Sequence, residues 1–436
     1  MKPVSRALDR LAVSFDEPGL VANAGLLLVA TLAQRMGIEA MVDSLVSMSG
    51  RVGGAHPGRK VLTLIHAMVA GASHIDHAEL LRSGETSKVL GHRVMAPSTL
   101  GTFLRAFSFG HVRQLEAVVG KALTRAWAAG AGPSSSRVVI DIDSTICEVE
   151  GKKKQGAAYG YTKVLGYHPI LASRAGTGEV VHARMRKGSA NTARGARRFV
   201  DEVVARLRRA GATGEVVVRF DCGFWSKDTL TCLARHKARF TMAVRTGTKG
   251  VARAIAAIDE GAWTSIAYPP GGEAQVAETD YWGRRLIVRR TRLTDPYQAQ
   301  LWPNWRHFAF LTDLDGDAVT LDEFHRAHAG VELVIRDLKE GSGLEHCPSG
   351  DFSANSAWLC CAVLAHNLVR WAATLGEPNP PEALTVSRSV RARLLAVPAR
   401  LVNRSGTLTL RAPARWPWAN LFTRRLRVLR SLPASG

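Results

Sequence analysis

The stretch Arg-Val-Val-Ile-Asp-Ile-Asp, residues 137–143, is an apolar run that carries two aspartates, and it predicts a buried β-strand. A second run of this kind, Glu-Val-Val-Val-Arg-Phe-Asp at 215–221, also ends on an aspartate. The other elements predicted around these two runs are strands over 167–174, 179–186 and 239–245 and helices over 193–209 and 226–236. Three strands, a helix, a strand, a helix and a strand is the order typical of a ribonuclease H-like domain.

The pattern changes on both sides of this region. Apolar residues recur at helical spacing before residue 130, alternating segments follow residue 247, and no Asp or Glu occurs after Ala383. We therefore predict an α/β fold with four parts: an all-helical N-terminal region for DNA binding or oligomerisation (1–130), a ribonuclease H-like catalytic core in two segments (137–246 and 318–375), a β-rich insertion (247–317) and a basic C-terminal region (376–436).

Charge indicates the kind of partner. The 436 residues include 58 Lys and Arg against 37 Asp and Glu, a formal charge of +21, which favours a phosphate-coated partner over a small-molecule substrate. No two of the six cysteines are separated by two residues, which argues against a structural zinc site or a disulfide framework and favours a reducing cytoplasm. The apolar stretch 357–375 contains His366, Asn367 and Arg370, so we predict a buried helix and no membrane span.

Three carboxylates are candidate metal ligands and catalytic groups: Asp143, Asp221 and Glu332, separated by 221 − 143 = 78 and 332 − 221 = 111 residues. Two hard divalent cations about 3.5 to 4 Å apart, held by carboxylates and by substrate oxygens, can activate a nucleophile and stabilise the leaving oxygen of a phosphodiester. Asp141 is an alternative to Asp143, because both point to the same face of the strand. Ser144 and Thr145 follow Asp143 and favour it, since their hydroxyls can bind the acid where the strand ends. The alternative for a strand-end aspartate is a turn or helix-cap residue.

A helix predicted over 321–339 carries the third acid. His325, His328, Glu332 and Lys339 are three, four and seven residues apart and share one face of this helix, beside an apolar stripe. The alternative interpretation of this face is a solvated helix surface.

These residues together resemble a bacterial insertion-sequence transposase of the DDE type, in the branch with a β-strand insertion and a spaced Tyr, Arg, Glu, Lys signature. The matching segments are Asp-Ser-Thr (143–145), Asp-Cys-Gly-Phe (221–224) and the helix from 325 to 339. The chain departs from the signature where His325 stands at the Tyr position and His328 at the Arg position.

The resemblance implies an activity and its partners. It implies binding of the element's terminal inverted repeats as double-stranded DNA, two-metal hydrolysis with Mg²⁺ (or Mn²⁺), transfer of the 3′-OH ends into target DNA, and a homo-oligomeric synaptic complex. The side chains expected to contact DNA are Lys339, His325, His328, Arg336, Trp282 and Trp305, with Trp302 a further stacking candidate.

Two other functions share the same residues. One is a structure-selective, metal-dependent nuclease without strand transfer, and the other is a DNA-binding relative that has lost catalysis. In all three cases we expect arginines after Ala383 to contact the DNA backbone.

Overall fold

Helices dominate the N-terminal part of the computed structural model, which describes residues 11–133, 137–160, 162–269, 271–293, 305–376 and 386–434. One of these helices begins at Pro97, because proline fits the first turn, where the missing N–H is not needed. In chain order the elements are β1 (Leu20–Val21), α1 (Leu26–Arg35), α2 (Ile38–Leu45), α3 (Pro57–Ala70), a 3₁₀ segment (Ile75–Arg82), α4 (Thr86–Leu90), α5 (Pro97–Arg105) and α6 (Phe109–Ala126).

The two aspartate-bearing runs form neighbouring strands in the middle of a nine-stranded mixed sheet. The elements from the first run onward are β2 (Arg137–Ser144), β3 (Cys147–Glu148), β4 (Ala158–Tyr159), β5 (Leu165–Tyr167), β6 (Ile170–Arg174), β7 (Val180–Arg184), α7 (Ala196–Ala210), β8 (Glu215–Phe220), α8 (Lys227–Arg235) and β9 (Arg239–Val244). These strands have the order β9-β8-β2-β6-β7 in the sheet, and the remaining four strands continue it beyond β9. Strand β8 runs parallel to β2 and to β9, whereas the other neighbours are antiparallel. The predicted α/β class is confirmed.

Four strands of the segment 247–317 continue this sheet. They are preceded by one helix, and their bounds are α9 (Lys249–Ala256), β10 (Thr264–Ile266), β11 (Gly272–Asp280), β12 (Arg285–Leu293) and β13 (Arg306–Thr312). Strand β13 pairs antiparallel with β9, with Ala309 opposite Val244, so the β-rich segment extends the edge of the central sheet. Trp302 lies outside the described residues.

The helix predicted over 321–339 is two helices. Helix α10 (Ala318–Arg326) and helix α11 (Gly330–Ser342) are joined by a 3₁₀ turn at Ala327–Ala329. The prediction of one uninterrupted helix was therefore wrong, although the backbone stays helical through the junction. The tighter turn changes the angular spacing of the side chains on either side of it.

Helix α12 (Phe352–Thr374) is the buried helix predicted for 357–375. By length and composition it could cross a membrane, but 89% of its most apolar window is buried inside the protein. His366, Asn367 and Arg370 are buried with it and have polar partners; the amide of Asn367, for example, bonds to both the N–H and the C=O of Val180. It is a core helix of this protein.

The C-terminal region folds back onto the N-terminal region. Its elements are α13 (Ser387–Val390), β14 (Ala399–Arg404), β15 (Thr407–Arg411) and α14 (Ala419–Ser431), and β14 lies between β1 and β15 in a three-stranded sheet. Two tail arginines that we expected to contact DNA donate hydrogen bonds within the protein. Arg391 donates to the carbonyls of Val69 and Gly341, and the buried Arg425 donates to the carbonyl of Leu375.

Candidate active site

Asp143 and Asp221 meet at one edge of the sheet because their strands are parallel and in register. Asp141 lies opposite Arg219 and Ile142 lies opposite Phe220. Asp143 and Asp221 are the next residues of the two strands and therefore lie side by side. In parallel strands the carboxyl ends share an edge, and this is where both acids lie. The equal spacing, 219 − 141 = 78 and 221 − 143 = 78, is the sequence counterpart of this register.

Both carboxylates are held by backbone N–H groups where their strands end. The N–H of Ser144 donates to Asp143 Oδ1 at 2.6 Å, and the N–H of Gly223 donates to Asp221 Oδ1 at 3.1 Å. Asp221 thereby caps the 3₁₀ turn Cys222–Phe224. A Cβ at position 223 would lie 2.8 Å from the side chain of Thr192, so glycine lets the turn after the strand pack closely against Thr192.

Glu332 is exposed in the first turn of α11 and faces the same cleft as the residue that follows Asp221. The cleft has a volume of about 800 Å³, and its lining includes both Cys222 and Glu332. Helix α11 therefore brings the third acid to the edge of the sheet where the two strands end.

The three acids influence each other electrostatically. Burial, together with the negative charges of Asp221 and Glu332, raises the pKa of Asp143 to about 6, against the lowering effects of the Ser144 N–H and His328. Burial also raises the pKa of Asp221. A bound cation would favour the ionised form of each carboxylate. Carboxylate oxygens whose negative charges repel one another therefore fit a hard divalent cation.

Asp141 is engaged in a different way from Asp143. It is buried, and Arg219 donates to both of its oxygens, from Nε at 2.6 Å and Nη2 at 2.8 Å. His328 Nδ1 is a third partner at 2.8 Å, and Arg219 also donates to the carbonyl of Phe324 at 2.7 Å. Asp141 thus joins the sheet to the α10–α11 junction, and its oxygens are occupied by protein donors.

The two predicted DNA-contacting histidines are half-buried side chains in the lining of the cleft. His325 packs against Phe310, with 4.2 Å between ring centroids, and bonds to the hydroxyl of Thr241 at 2.7 Å. Burial lowers the pKa of His325 to about 3, and the neighbouring positive charges act in the same direction. His328 is held by Asp141. Both residues line the cleft, and their contact with DNA stays a prediction.

The basic residues of α11 differ in their surroundings. Lys339 Nζ donates to the carbonyl of Ile146 at 2.7 Å and so binds the segment that follows Asp143. Arg336 is exposed. In this structure Lys339 positions the loop beside the acids, and phosphate binding by either residue stays a prediction.

The predicted stacking residues lie on the β-rich segment. Trp282 forms the tip of the β11–β12 hairpin with a left-handed φ of 63°, is 53% exposed, and lies 5.5 Å from Trp225 between ring centroids. The side chain of Trp305 is half-buried against Arg290 and Arg292, whose guanidinium carbons lie 4.5 and 4.7 Å from the ring centroid. An exposed tryptophan in this conformation is unusual and is compatible with a binding role.

Arginines that the sequence analysis did not single out line the cleft beside Glu332. One follows β9 and the others lie on β12, β13 and α10: Arg245, Arg289, Arg306 and Arg326. The only sequence signal for them is the general excess of basic residues, because their convergence depends on the pairing of β13 with β9. They make the wall of the cleft positive.

Two groups of potential ligands outside this site are more tightly clustered. Among the described residues, the sets with all ligand atoms within 4.8 Å of one another are Asp201–Cys232–His236 and Glu116–His182–Glu202. Asp143, Asp221 and Glu332 are not such a set. A pair of cations also bound by substrate oxygens does not require its carboxylates to converge on one point.

Comparison with known proteins identifies the family. The sequence matches the family described as transposase DDE domain group 1 over residues 5–434. No curated protein matches it. Among solved structures, the fold is similar to that in the cryo-EM structure of the piggyBac transposase synaptic complex with hairpin DNA, at 12% identity and a TM-score of 0.50, covering 86% of this chain and 79% of that chain. Because the family match extends over nearly the whole sequence, this chain belongs to the DDE transposases of domain group 1.

Proposed function

We propose that this protein moves a bacterial insertion sequence within the cytoplasm by binding its terminal inverted repeats, cleaving the DNA ends and transferring the 3′-OH ends into target DNA. The observation that carries the proposal is that two in-register strand-end aspartates lie close enough to Glu332 for its charge to act on Asp143, beside the arginine-lined cleft that Cys222 and Glu332 both line. The family match supports a transposase.

The strand order supports a ribonuclease H-like catalytic core. Five neighbouring strands of the sheet are β7, β6, β2, β8 and β9, which gives the order 3-2-1-4-5 if β2 is numbered first and the five are counted along the chain. Strand β6 is antiparallel to both β2 and β7, and β8 is parallel to both β2 and β9. We assign this core to residues 137–246 and 318–375, with 247–317 as the β-rich insertion. The region 1–130 would then serve DNA binding or oligomerisation, and 376–436 would form the basic C-terminal region.

Asp143, Asp221 and Glu332 would hold the divalent cations, with Asp143 preferred over Asp141 because the oxygens of Asp141 already accept from Arg219 and His328. When bound, the Mg²⁺ ions supply charge compensation at phosphorus and lower the pKa of an attacking water or hydroxyl. The side chains themselves provide the negative, partly buried oxygen ligands. The buried Asp141–Arg219 pair keeps the two strand ends and the α10–α11 junction in fixed relation.

The cleft arginines would bind the phosphates on either side of the reacting bond. Arg289 and Arg306 belong to the β-rich segment, Arg245 follows β9, and all three line the cleft together with Glu332. Bidentate guanidinium groups suit phosphate oxygens. Lys339, Arg336, His325 and His328 would contribute on the helical side, and Trp282 or Trp305 would stack on a base.

A transposase must hold two DNA ends together, and the solved structure with a similar fold is a synaptic complex with hairpin DNA. We therefore infer that this chain also acts as a homo-oligomer on double-stranded DNA.

A cleavage and strand-transfer assay tests the proposal. Purified protein is incubated with DNA carrying the element's ends and Mg²⁺, and the products are compared for wild type, Asp221→Asn and Asp228→Asn. Asp228 is an exposed acid in the first turn of α8 and serves as the matched control. We expect 3′-OH formation and joining in wild type and Asp228→Asn, and a loss of about 100- to 1,000-fold in Asp221→Asn, on the scale of losing an essential electrostatic group.

The products distinguish the alternatives. Cleavage without joining would identify a nuclease, and DNA binding with neither step would identify a protein that only binds. Equal activity in Asp221→Asn and Asp228→Asn would remove Asp221 from the site.

A further inference from the structure

A second cluster of metal-ligating side chains lies away from the three acids, between α7 and α8. Asp201 lies on α7, Cys232 on α8, and His236 is the C-cap residue of α8, four positions after Cys232 and so on the same face. The thiol of Cys232 lies 3.2 Å from Asp201 Oδ1, and Nε2 of His236 lies 2.7 Å from the same oxygen. All three ligand atoms are within 4.8 Å of one another.

We propose that Asp201, Cys232 and His236 bind a zinc ion that links α7 to α8. Thiolate, imidazole and carboxylate are the three kinds of donor that zinc, a borderline-soft ion, takes in proteins, and three protein ligands leave a fourth position for water. Mg²⁺ prefers oxygen ligands, so the chemistry of this cluster separates it from the candidate active site.

The partial burial of the cluster fits an ion held between two helices. The Cys232 side chain is buried between them, whereas the side chains of Asp201 and His236 are 31% and 27% exposed. An ion can therefore enter from solvent. The spacing of the cysteines argues against structural zinc, because no two of them are separated by two residues. The cluster has no local sequence signal, because Asp201 is 31 residues before Cys232 and reaches it only through packing of α7 against α8.

One neighbouring charge competes with the ion. Arg235 donates to Asp201 Oδ1, but its side chain is 54% exposed and can turn into solvent. An exposed ion pair of this kind contributes little to stability, so its loss is a small cost beside a metal–thiolate bond.

The second tight cluster, Glu116–His182–Glu202, is less suited to a metal ion. Glu116 and Glu202 already accept hydrogen bonds from Arg113 and Arg184, and Arg206 bonds to the backbone carbonyl of Glu116. Positive charge is therefore supplied by the protein itself, and a cation would be repelled. We assign zinc only to the cluster of Cys232.

Cobalt substitution tests the proposal without any activity assay, so its outcome is independent of the transposase assignment. The full-length metal-free protein is titrated with Co²⁺, followed by Zn²⁺ competition. We expect one equivalent of Co²⁺ to give the near-ultraviolet sulfur-to-cobalt absorption and the intense visible bands of tetrahedral coordination, both displaced by Zn²⁺ and retained in excess Mg²⁺.

Cysteine variants test whether Cys232 is the thiol that binds the metal. Cys232→Ser should abolish the sulfur band and weaken Zn²⁺ binding by at least about 100-fold, since loss of an outer-shell partner alone costs about 10- to 100-fold. Cys222→Ser is the matched control, because this partly exposed thiol follows Asp221 beside the candidate acids, and it should keep the band. A band that persists in Cys232→Ser, or that disappears in Cys222→Ser, would overturn the proposal.

Two further variants keep the test decisive if Cys232→Ser does not fold. His236→Asn should weaken Zn²⁺ binding by a similar factor, and Arg235→Gln should strengthen it because the competing guanidinium is gone. Zn²⁺ should raise the melting temperature of wild type and not that of His236→Asn. The absence of a sulfur band in wild type, or equal Zn²⁺ affinity in wild type and His236→Asn, would reject the site.

Discussion

At the scale of single residues, two aspartates on one strand have different roles although they point to the same face. Asp141 is buried against Arg219 and His328, while Asp143 lies at the end of the strand with a backbone donor. The physical difference is the charge of the neighbours. Asp141 has a positive partner inside the protein, and Asp143 has negative neighbours and a raised pKa.

This difference predicts opposite effects of the same substitution. Asp141→Asn leaves the Arg219 guanidinium buried without its anion and should lower the free energy of unfolding by about 3 to 5 kcal/mol. Asp143→Asn removes a repelled charge and should leave the free energy of unfolding, without metal and at pH 7, unchanged or higher. Urea denaturation measures both. Equal destabilisation by the two variants would show that both acids are structural.

The raised pKa of Asp143 also predicts a pH dependence. In the unfolded chain this carboxyl releases its proton near its usual pKa of 3.8, and in the folded protein near 6, so the folded state binds more protons between these values. Stability is therefore lost as pH rises from about 4 to about 6. Relative to Asp143→Asn, the free energy of unfolding of wild type in EDTA should fall over this window by on the order of 2 to 3 kcal/mol.

Denaturation of the two proteins at pH 4, 5, 6 and 7 tests this difference, and a difference that does not change with pH would contradict it. Saturating Mg²⁺ should restore the stability of wild type above pH 6, because the cation binds the ionised carboxylate.

At the scale of the elements, the local pattern of apolar residues was sufficient to predict a strand where burial alone determines the structure. The strands at 137–143 and 215–221 are apolar on both faces, and the structure places them at Arg137–Ser144 and Glu215–Phe220. The helix with Glu332 was predicted as one piece because apolar spacing continues through Ala327–Ala329. The 3₁₀ turn there depends on tertiary contacts, among them the hydrogen bonds of Arg219 to the carbonyls of Phe324 and Ala327.

Pairing between distant segments accounts for what the sequence could not predict. Asp141 and Arg219 are separated by 78 residues, as are Asp143 and Asp221. This equal spacing could have predicted the Asp141–Arg219 pair, since parallel strands that align the second pair also align the first. The junction of β13 with β9 has no local signal, because any exposed strand edge can accept a new strand. The arginine wall of the cleft, the orientation of Trp282 and the Asp201–Cys232–His236 cluster all depend on such long-range contacts.

At the scale of the whole molecule, the basic tail is both a structural element and a surface. Strand β14 pairs with β1, helix α14 packs against α1, and Arg391 and Arg425 are bonded inside the protein. Deleting the tail would therefore disrupt the N-terminal region as well as remove charge. Only point substitutions at exposed arginines can separate DNA binding from stability.

The β14–β15 hairpin offers such a pair in Arg404 and Arg411, which end the two strands and are exposed. If both contact phosphates, the double substitution Arg404→Gln and Arg411→Gln should reduce the slope of log K against log salt by about 1.8, since each released phosphate contact contributes about 0.9. The free energy of unfolding should change by less than about 0.5 kcal/mol, as for other surface positions.

The matched control, lysine at both positions, keeps the charge and should keep the slope. Fluorescence anisotropy with double-stranded DNA at several salt concentrations gives the slope directly. A slope that glutamine leaves unchanged would mean that the hairpin charge faces solvent and that DNA is bound by the arginine-lined cleft and the N-terminal region alone.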